Sequence, residues 1–475
     1  MLDDEWSRLT YSVDSSHYQV MPEAVVFPAD AADVQEVCKS CHSEGLSVAA
    51  RGAGTGLLGQ SLSRGIMLDL TKHMNRIIDI DTDQVITQPG VVKRFLDLEL
   101  KKRGKFLPPD PASSNYCTIG GMIANNSSGI HCLGYGHTID FLDGVRLVYT
   151  DGSEGNADGA GWDDRMAKLR ELLVPEESAL TNGFPRVTKN SCGYRLDAVM
   201  SKGQFLPHKV LAASEGTLGI VTEARFRILD LPEHRALLVL GFEDLLDAMK
   251  AVTQLLQFRP AALEMMDHTV VAGGKPVSDK GCILFVEFAG DSGSTQRRLE
   301  LCIHRIGGLC SILECASDEQ SLTRIWGARK GALNNIMKMT VGSRKPIGLI
   351  EDTVVRPELL GRHVEDLICD YREHGLDYVM YGHAGDGNVH TRPIVNLDSR
   401  EELRMMEEIA QRVFMRVTQT GGTITGEHGD GLGRLPYIGM VYGKEILDMF
   451  RRVKELFDPK MMLNPGKKVP APKLQ

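Results

Sequence analysis

Arg51-Gly52-Ala53-Gly54-Thr55-Gly56-Leu57-Leu58-Gly59-Gln60 puts four glycines into ten residues, directly after a short apolar strand predicted over residues 46–50. Glycines this dense let backbone N–H groups come close to a phosphate. A dinucleotide-binding fingerprint would open a helix at that point, but residues 66–70 read as a second strand. The order helix, strand, glycine loop, strand is therefore a different nucleotide-binding solution. Its helix is predicted over 31–43, where Ala31, Val34 and Val37 recur at helical spacing after the start signal Pro28-Ala29-Asp30. The same helix carries Cys38-Lys39-Ser40-Cys41-His42, the spacing of a c-type haem attachment site. Haem attachment needs export, and Met1-Leu2-Asp3-Asp4-Glu5 is acidic where a signal peptide would be basic. Both cysteines are accordingly read as ordinary helix residues.

Outward from this loop, composition sets the frame. A chain of 475 residues exceeds one ordinary core, so two or three domains are expected. Hydrophobic residues at 42% and charged residues at 25% describe a globular protein rather than a disordered or fibrous one. A net charge of -9 argues against a nucleic-acid partner, which requires a basic face. No apolar run reaches membrane-spanning length. The ten cysteines include no closely spaced run suited to an iron–sulfur cluster. The expected location is the cytoplasm, with peripheral attachment at the inner membrane through a partner left open.

The rhythm changes at Asp230-Leu231-Pro232-Glu233, which reads as a linker closing a first domain, 1–230. A second domain, 231–422, is predicted as strand 236–241, helix 243–256, strand 281–289, helix 294–307, helix 322–339, strand 347–355 and helix 358–374, a cap built on one mainly antiparallel sheet. Helix 400–420 and a last helix over 442–457 follow, and 423–475 forms a C-terminal segment. Late in the cap, Tyr381-Gly382-His383-Ala384-Gly385-Asp386-Gly387-Asn388-Val389-His390 lies between predicted strands 376–381 and 389–395. That hairpin sets two imidazoles facing each other, about 5 Å apart at Cβ, close enough to share a divalent ion. The third ligand is sought in Thr425-Gly426-Glu427-His428-Gly429-Asp430-Gly431. With Glu427, the set His383, His390, Glu427 is a catalytic-type metal site with open positions. The alternative is a pair of core histidines joined by hydrogen bonds.

Several segments then occur in the order of the FAD-linked oxidases of the vanillyl-alcohol-oxidase type, which the chain resembles along nearly its whole length. They are the glycine loop, Pro109-Asp110-Pro111-Ala112-Ser113-Ser114, Thr118-Ile119-Gly120-Gly121-Met122-Ile123-Ala124-Asn125-Asn126-Ser127-Ser128-Gly129, Tyr135-Gly136, Ser214-Glu215-Gly216-Thr217-Leu218-Gly219-Ile220-Val221, and Leu463-Asn464-Pro465-Gly466 near the end. Within that family it is most similar to the D-2-hydroxy-acid dehydrogenases: D-lactate dehydrogenase, glycolate oxidase catalytic subunit and D-2-hydroxyglutarate dehydrogenase. The resemblance implies an α+β architecture, an FAD-binding domain of the vanillyl-alcohol-oxidase type under an antiparallel-sheet α+β substrate cap, with the C-terminal segment returning to the FAD domain.

The resemblance also implies roles. FAD contacts fall on Arg51, Gly52, Ala53, Gly54, Thr55, Gly56, Gln60, Pro109, Thr118, Gly120, Gly121, Asn125, Ser127, Ser128, Gly129, Tyr135, Glu215, Gly219, Ile220 and Asn464. Thr55 stands where relatives with covalent flavin carry a histidine, so non-covalent FAD is expected. Gly219-Ile220-Val221 is expected along the flavin edge. Substrate carboxylate would meet Arg329, with Lys345 as a second cation and Arg392 where D-2-hydroxyglutarate dehydrogenases have an asparagine, a departure that bears on substrate choice. His383, His390 and Glu427 would hold a divalent metal, zinc by donor chemistry with manganese or iron open, and His428 would take the hydroxyl proton. The implied reaction is oxidation of a D-2-hydroxy acid to the 2-oxo acid with hydride passing to FAD. Electrons would leave through a separate iron–sulfur protein or other acceptor, or the chain is cut from a longer one; a homodimer is left open. The alternatives are a flavoprotein subunit that only relays electrons and a metal-free, peroxide-forming oxidase of the same fold.

Overall fold

In the computed structural model the fold is described for residues 1–158, 161–268, 270–272, 275–276, 280–337 and 342–470. It begins with three parallel strands in the order Ala24–Val26, Ile66–Asp69, Val48–Arg51, and helix Ala31–Glu44 connects the outer two. Asp30 starts that helix by accepting from the amides of Ala32 and Asp33, and Gly45 ends it at φ 71°, where only a residue without Cβ is unstrained. Val34, Cys38 and Cys41 face the small sheet and are buried, so the cysteine pair packs a helix against strands.

A six-stranded antiparallel sheet follows, ordered Ile77–Ile80, Gln84–Thr87, Ile220–Arg227, Leu142–Val148, Glu154–Asp158, Gly161–Trp162. Its strand Ile220–Arg227 buries every second residue: Ile220, Thr222, Ala224 and Phe226 point to the core.

Among the described residues the cap sheet has eight strands. Its first four, His234–Phe242, Ala262–Asp267, Cys282–Gly290 and Ser311–Ala316, with helices Leu245–Leu256 and Ser292–Ile306, form an antiparallel βαββαβ unit in the spatial order 4-1-3-2. Leu238 and Leu240 face the helices, while Leu237 and Val239 join Trp326 of helix Glu319–Met337 on the other side. Burial on both faces explains why Ala236 to Leu240 is continuously apolar rather than alternating. The hairpin strands Tyr378–His383 and Asn388–Asn396 extend this sheet beside Ala262–Asp267.

Two sequence expectations change here. Of the strand expected over 347–355 only Thr353–Val354 forms, after a separate strand Arg344–Pro346, because the chain leaves the sheet between them and turns Glu351 and Asp352 inward, with Asp352 at φ 74°. The helix expected over 322–339 runs Glu319–Met337, and positions 338–339 lie outside the described residues. The final helix, Lys444–Phe457, returns to pack on Asp164–Leu173 and Glu177–Gly183 of the first part of the chain. Leu463 then pairs with Val48.

Candidate functional site

One cavity, open to solvent, runs from the glycine loop to the hairpin. Residues 51–56, Gln60, Thr118, Gly120, Gly121, Asn125, Ser127, Ser128, Glu215 and Gly219 line one end, and Arg329, Lys330, Tyr381, His383, His390, Glu427 and His428 line the other. At the loop end the walls are backbone and small side chains. A Cβ at Gly52 would overlap the Thr118 hydroxyl, and one at Gly120 would come within 2.7 Å of Pro89 Cβ. Close backbone approach along an elongated, glycine-walled cavity fits a nucleotide cofactor of FAD's size and polarity.

Five expected cofactor residues fall elsewhere. Strand alternation sends Ile220 into the core while its neighbours Gly219 and Val221 line the cavity, so only alternate members of that trio border it. Pro109 is buried behind the wall. Tyr135 stands edge-on to Phe106, ring centroids 5.4 Å apart. Asn464 braces the wall from behind, donating to the carbonyls of Gln60 (2.8 Å) and Glu215 (2.7 Å). Gly129 gives its amide to Glu427 Oε2 at 2.8 Å.

At the hairpin the two histidines are diagonal, not directly opposed: His390 pairs across the strands with Tyr381, and His383 with Asn388. All four share one face, and the imidazoles meet edge to face with centroids 5.1 Å apart. His383 Nε2 lies 2.8 Å and His390 Nε2 3.4 Å from Glu427 Oε1, and the three donor atoms fall within 4.8 Å of one another. The other oxygen of Glu427 is taken by Ser128 Oγ (2.5 Å), the Gly129 amide and Lys189 Nζ (2.8 Å). Burial alone would lower the His383 pKa, but Glu264, 2.6 Å from Nδ1, together with Glu427 pushes it up to about 9. A histidine so surrounded calls for positive charge at Nε2, as a proton or as a divalent cation, and the donor set of two imidazoles and one carboxylate fits the latter.

His428 stacks on His390 at 4.6 Å and 21° between planes, and its Nδ1 is 2.7 Å from Glu351 Oε1. Burial works to lower its pKa; Glu351 and Asp352 outweigh that and raise it. The Asp352 carboxylate accepts from the amides of Gly426 (3.0 Å), Glu427 (3.1 and 3.2 Å) and His428 (2.9 Å), and so shapes the turn that presents Glu427 and His428. Arg434, wholly buried, reaches Asp352 Oδ2 at 3.1 Å and Glu351 Oε1 at 3.2 Å.

The cations sort differently from expectation. Arg329 lines the cavity, buried over the Tyr381 ring at 5.3 Å, with NH2 2.8 Å from Glu264 Oε2 and its Nε without a partner. Lys345 is exposed on a strand outside the cavity lining, whereas Lys330, beside Arg329, lines the wall. Arg392 is buried behind the wall, its Nε 3.3 Å from Tyr381 Oη. Sequence reading missed Lys189, Glu264, Glu351, Asp352 and Arg434. A lone carboxylate inside the apolar run Ala261-Ala262-Leu263-Glu264-Met265-Met266 and an adjacent pair inside Ile350-Glu351-Asp352-Thr353-Val354 were the available signal. Lys189 had none.

Comparison with known proteins agrees with this geometry. Residues 231–468 match the family described as FAD linked oxidases, C-terminal domain, and residues 22–156 match FAD binding domain. The chain is 32% identical to D-2-hydroxyglutarate dehydrogenase of Pantoea ananatis (strain AJ13355) over 97% of its own length and 49% of that protein's, so it spans about half the length of such relatives. It is 30% identical to glycolate oxidase subunit GlcD of Bacillus subtilis (strain 168), covering 98% of this chain and 93% of the relative. The solved structure of 4-ethylphenol oxidase from Gulosibacter chungangensis, in its isoeugenol complex, shares the fold with TM-score 0.71 at 14% identity, over 99% of this chain and 94% of that one. With an FAD binding domain, the matching C-terminal domain and a glycine-walled cavity between them, this chain belongs to the FAD-linked oxidases.

Proposed function

We propose that the protein oxidises a D-2-hydroxy acid to the 2-oxo acid, using dissociable FAD and a divalent metal ion, zinc by donor chemistry, and passes the electrons to a separate acceptor. The observation that carries this reading is the convergence of His383 Nε2, His390 Nε2 and Glu427 Oε1 beside His428, at the end of a cavity whose other end is the glycine cradle. Relatives named for D-2-hydroxyglutarate, glycolate and D-lactate support the substrate class.

Bound there, FAD supplies a hydride acceptor and the metal a Lewis acid. The chain's own residues do the rest. Arg329, at the cavity wall, offers its guanidinium to the substrate carboxylate, and Glu264 holds its NH2 in place at 2.8 Å. His428 accepts the hydroxyl proton at Nε2, since Nδ1 is engaged with Glu351. Tyr381 packs between Arg329 and His390 and keeps the substrate end of the cavity apolar apart from these groups.

The test is an anaerobic screen of purified protein against D-lactate, glycolate, D-2-hydroxyglutarate and D-malate, following flavin absorbance before and after chelation. Bleaching by one acid, abolished by chelator and restored by zinc, is expected. Acid denaturation should leave the yellow FAD in the supernatant, because Thr55 offers no histidyl nitrogen. Bleaching by none of the acids would mark a relay subunit, and chelator-resistant activity that makes peroxide in air would mark a metal-free oxidase.

A further inference from the structure

We propose that Glu351 is a positioning residue whose two oxygens hold a metal ligand and the proton acceptor in register; the proposal rests on the roles given above to His390 and His428. Glu351 is wholly buried where the chain leaves the cap sheet between Arg344–Pro346 and Thr353–Val354. Its Oε1 is hydrogen-bonded to His428 Nδ1 at 2.7 Å, and its Oε2 faces His390 Nδ1 at 3.2 Å without hydrogen-bond geometry. Among the described residues neither Oε2 nor His390 Nδ1 has another hydrogen-bond partner, and the two rings stack 4.6 Å apart.

An ionised carboxylate only accepts hydrogen bonds, so His428 carries its proton on Nδ1, and Oε2, 3.2 Å from His390 Nδ1, favours the same tautomer there, leaving the lone pair of each ring on Nε2. For His390 that lone pair faces Glu427 Oε1 at 3.4 Å, alongside His383 Nε2. For His428 the free Nε2 stands 3.8 Å from the same oxygen, at the cavity wall. One side chain thus sets the tautomer and the ring angle of two groups that must act on the same substrate hydroxyl. Glu264 performs the first half of this task for His383, and its other oxygen meets Arg329 rather than a second ring.

Glu351, His390 and His428 themselves bring donor atoms within 4.8 Å of one another. Cations already occupy that neighbourhood: Arg434 is 3.2 Å from Oε1 and Arg392 3.9 Å from Oε2, both buried. A divalent ion there would meet two fixed guanidinium charges, so protons bridge this triad and the metal belongs to the neighbouring one. Arg434 also donates to the Glu351 carbonyl and to Asp352, which ties the carboxylate to the turn that carries Glu427 and His428.

The experiment uses zinc-loaded holoenzyme labelled with ¹⁵N-histidine. Two-bond ¹H–¹⁵N spectra should show His390 and His428 protonated on Nδ1, assigned by loss of each signal in His390→Gln and His428→Gln. The variant Glu351→Gln offers one acceptor and one donor, so it can serve the Nδ1–H of one ring only. It should keep FAD, but bind zinc about 10- to 100-fold more weakly, or reduce flavin slower by that factor at saturating zinc, with kcat falling more than KM changes. His428 protonated on Nε2 in the wild type, or Glu351→Gln with wild-type zinc affinity and reduction rate, overturns the proposal. If Glu351→Gln does not fold, the wild-type spectrum alone decides. A wild type that holds no zinc and works fully after chelation overturns the metal reading and the His390 half with it, while the His428 tautomer still reports on the other half.

Discussion

The two ends of the cavity are built by opposite means. The cofactor end is a backbone surface: residues 51–56 and the segment around Gly120 and Gly121 present amides and small side chains, and each wall comes from one contiguous stretch. The hairpin end is a side-chain surface in which Glu264, Glu351, Asp352, Lys189 and Arg434 are all fully buried, each contributed by a different part of the chain save the one adjacent pair. Burying charge is favourable only when every group is paired, and removing one partner of such a pair typically costs about 3–5 kcal/mol. The cofactor end should therefore absorb substitution gradually, and the hairpin end should fail abruptly.

The sharpest way to break this contrast is at the metal ligands. His383→Ala and His390→Ala should each lose the metal, and flavin reduction with it, because two ligands hold a divalent ion poorly; elemental analysis beside single-turnover bleaching reads both. Normal metal content in either variant would sink the ligand set. Next in size, His428→Ala should retain metal and FAD yet reduce flavin about 10²- to 10⁴-fold more slowly, the usual contribution of a positioned base. Equal slowing with lost metal would place His428 among the ligands instead.

Arg329→Ala should raise KM for the acid with FAD occupancy unchanged, at about 2 to 4 kcal/mol in kcat/KM, since it removes a carboxylate partner and leaves Glu264 with only His383. Steady-state kinetics with unaltered KM would remove it from the substrate clamp. At the other end, Gly52→Ala pushes the Thr118 hydroxyl, which caps helix Ile119–Asn125 by accepting from the Gly121 amide at 3.3 Å. Loss of such a cap costs about 1 kcal/mol, so FAD should bind several-fold more weakly while metal content stays normal. An equilibrium titration of apoprotein showing metal loss as well would erase the proposed contrast.

The smallest effect concerns what joins the two regions. His131, beside the cavity wall, bridges Asp110 (2.9 Å) to Glu287 of the cap (3.1 Å), and Glu287 also receives Trp326 Nε1 at 2.6 Å. Burial works against its charge, but the two carboxylates push the pKa up to about 10. A folded pKa above the unfolded value of about 6.5 gives stability that is complete below the latter and lost as pH rises through the former. Melting temperature should decline between about pH 7 and 10. In His131→Gln that part of the decline should vanish, and parallel melting profiles would exclude the bridge as its source.

What could be read from the chain was whatever a short stretch builds by itself. The glycine loop after a strand, the capped helix at 31–44, the apolar strands of the cap and the His383 to His390 hairpin all express local rules of backbone freedom, capping and periodicity. Even Glu427 and His428 stood out, because glycines flank them. Tertiary structure alone decided the rest. Ile220 left the cavity because strand alternation acts one residue at a time, and Lys345 lay outside because reach depends on which strand edge carries it. Residues 347–352 failed as a strand because Glu351 and Asp352 face inward, where Arg434, His390 and His428 arrive from segments 38 to 83 residues away. Such pairing energies exist only once the distant partners are brought together in a space without water, so no local pattern announces them.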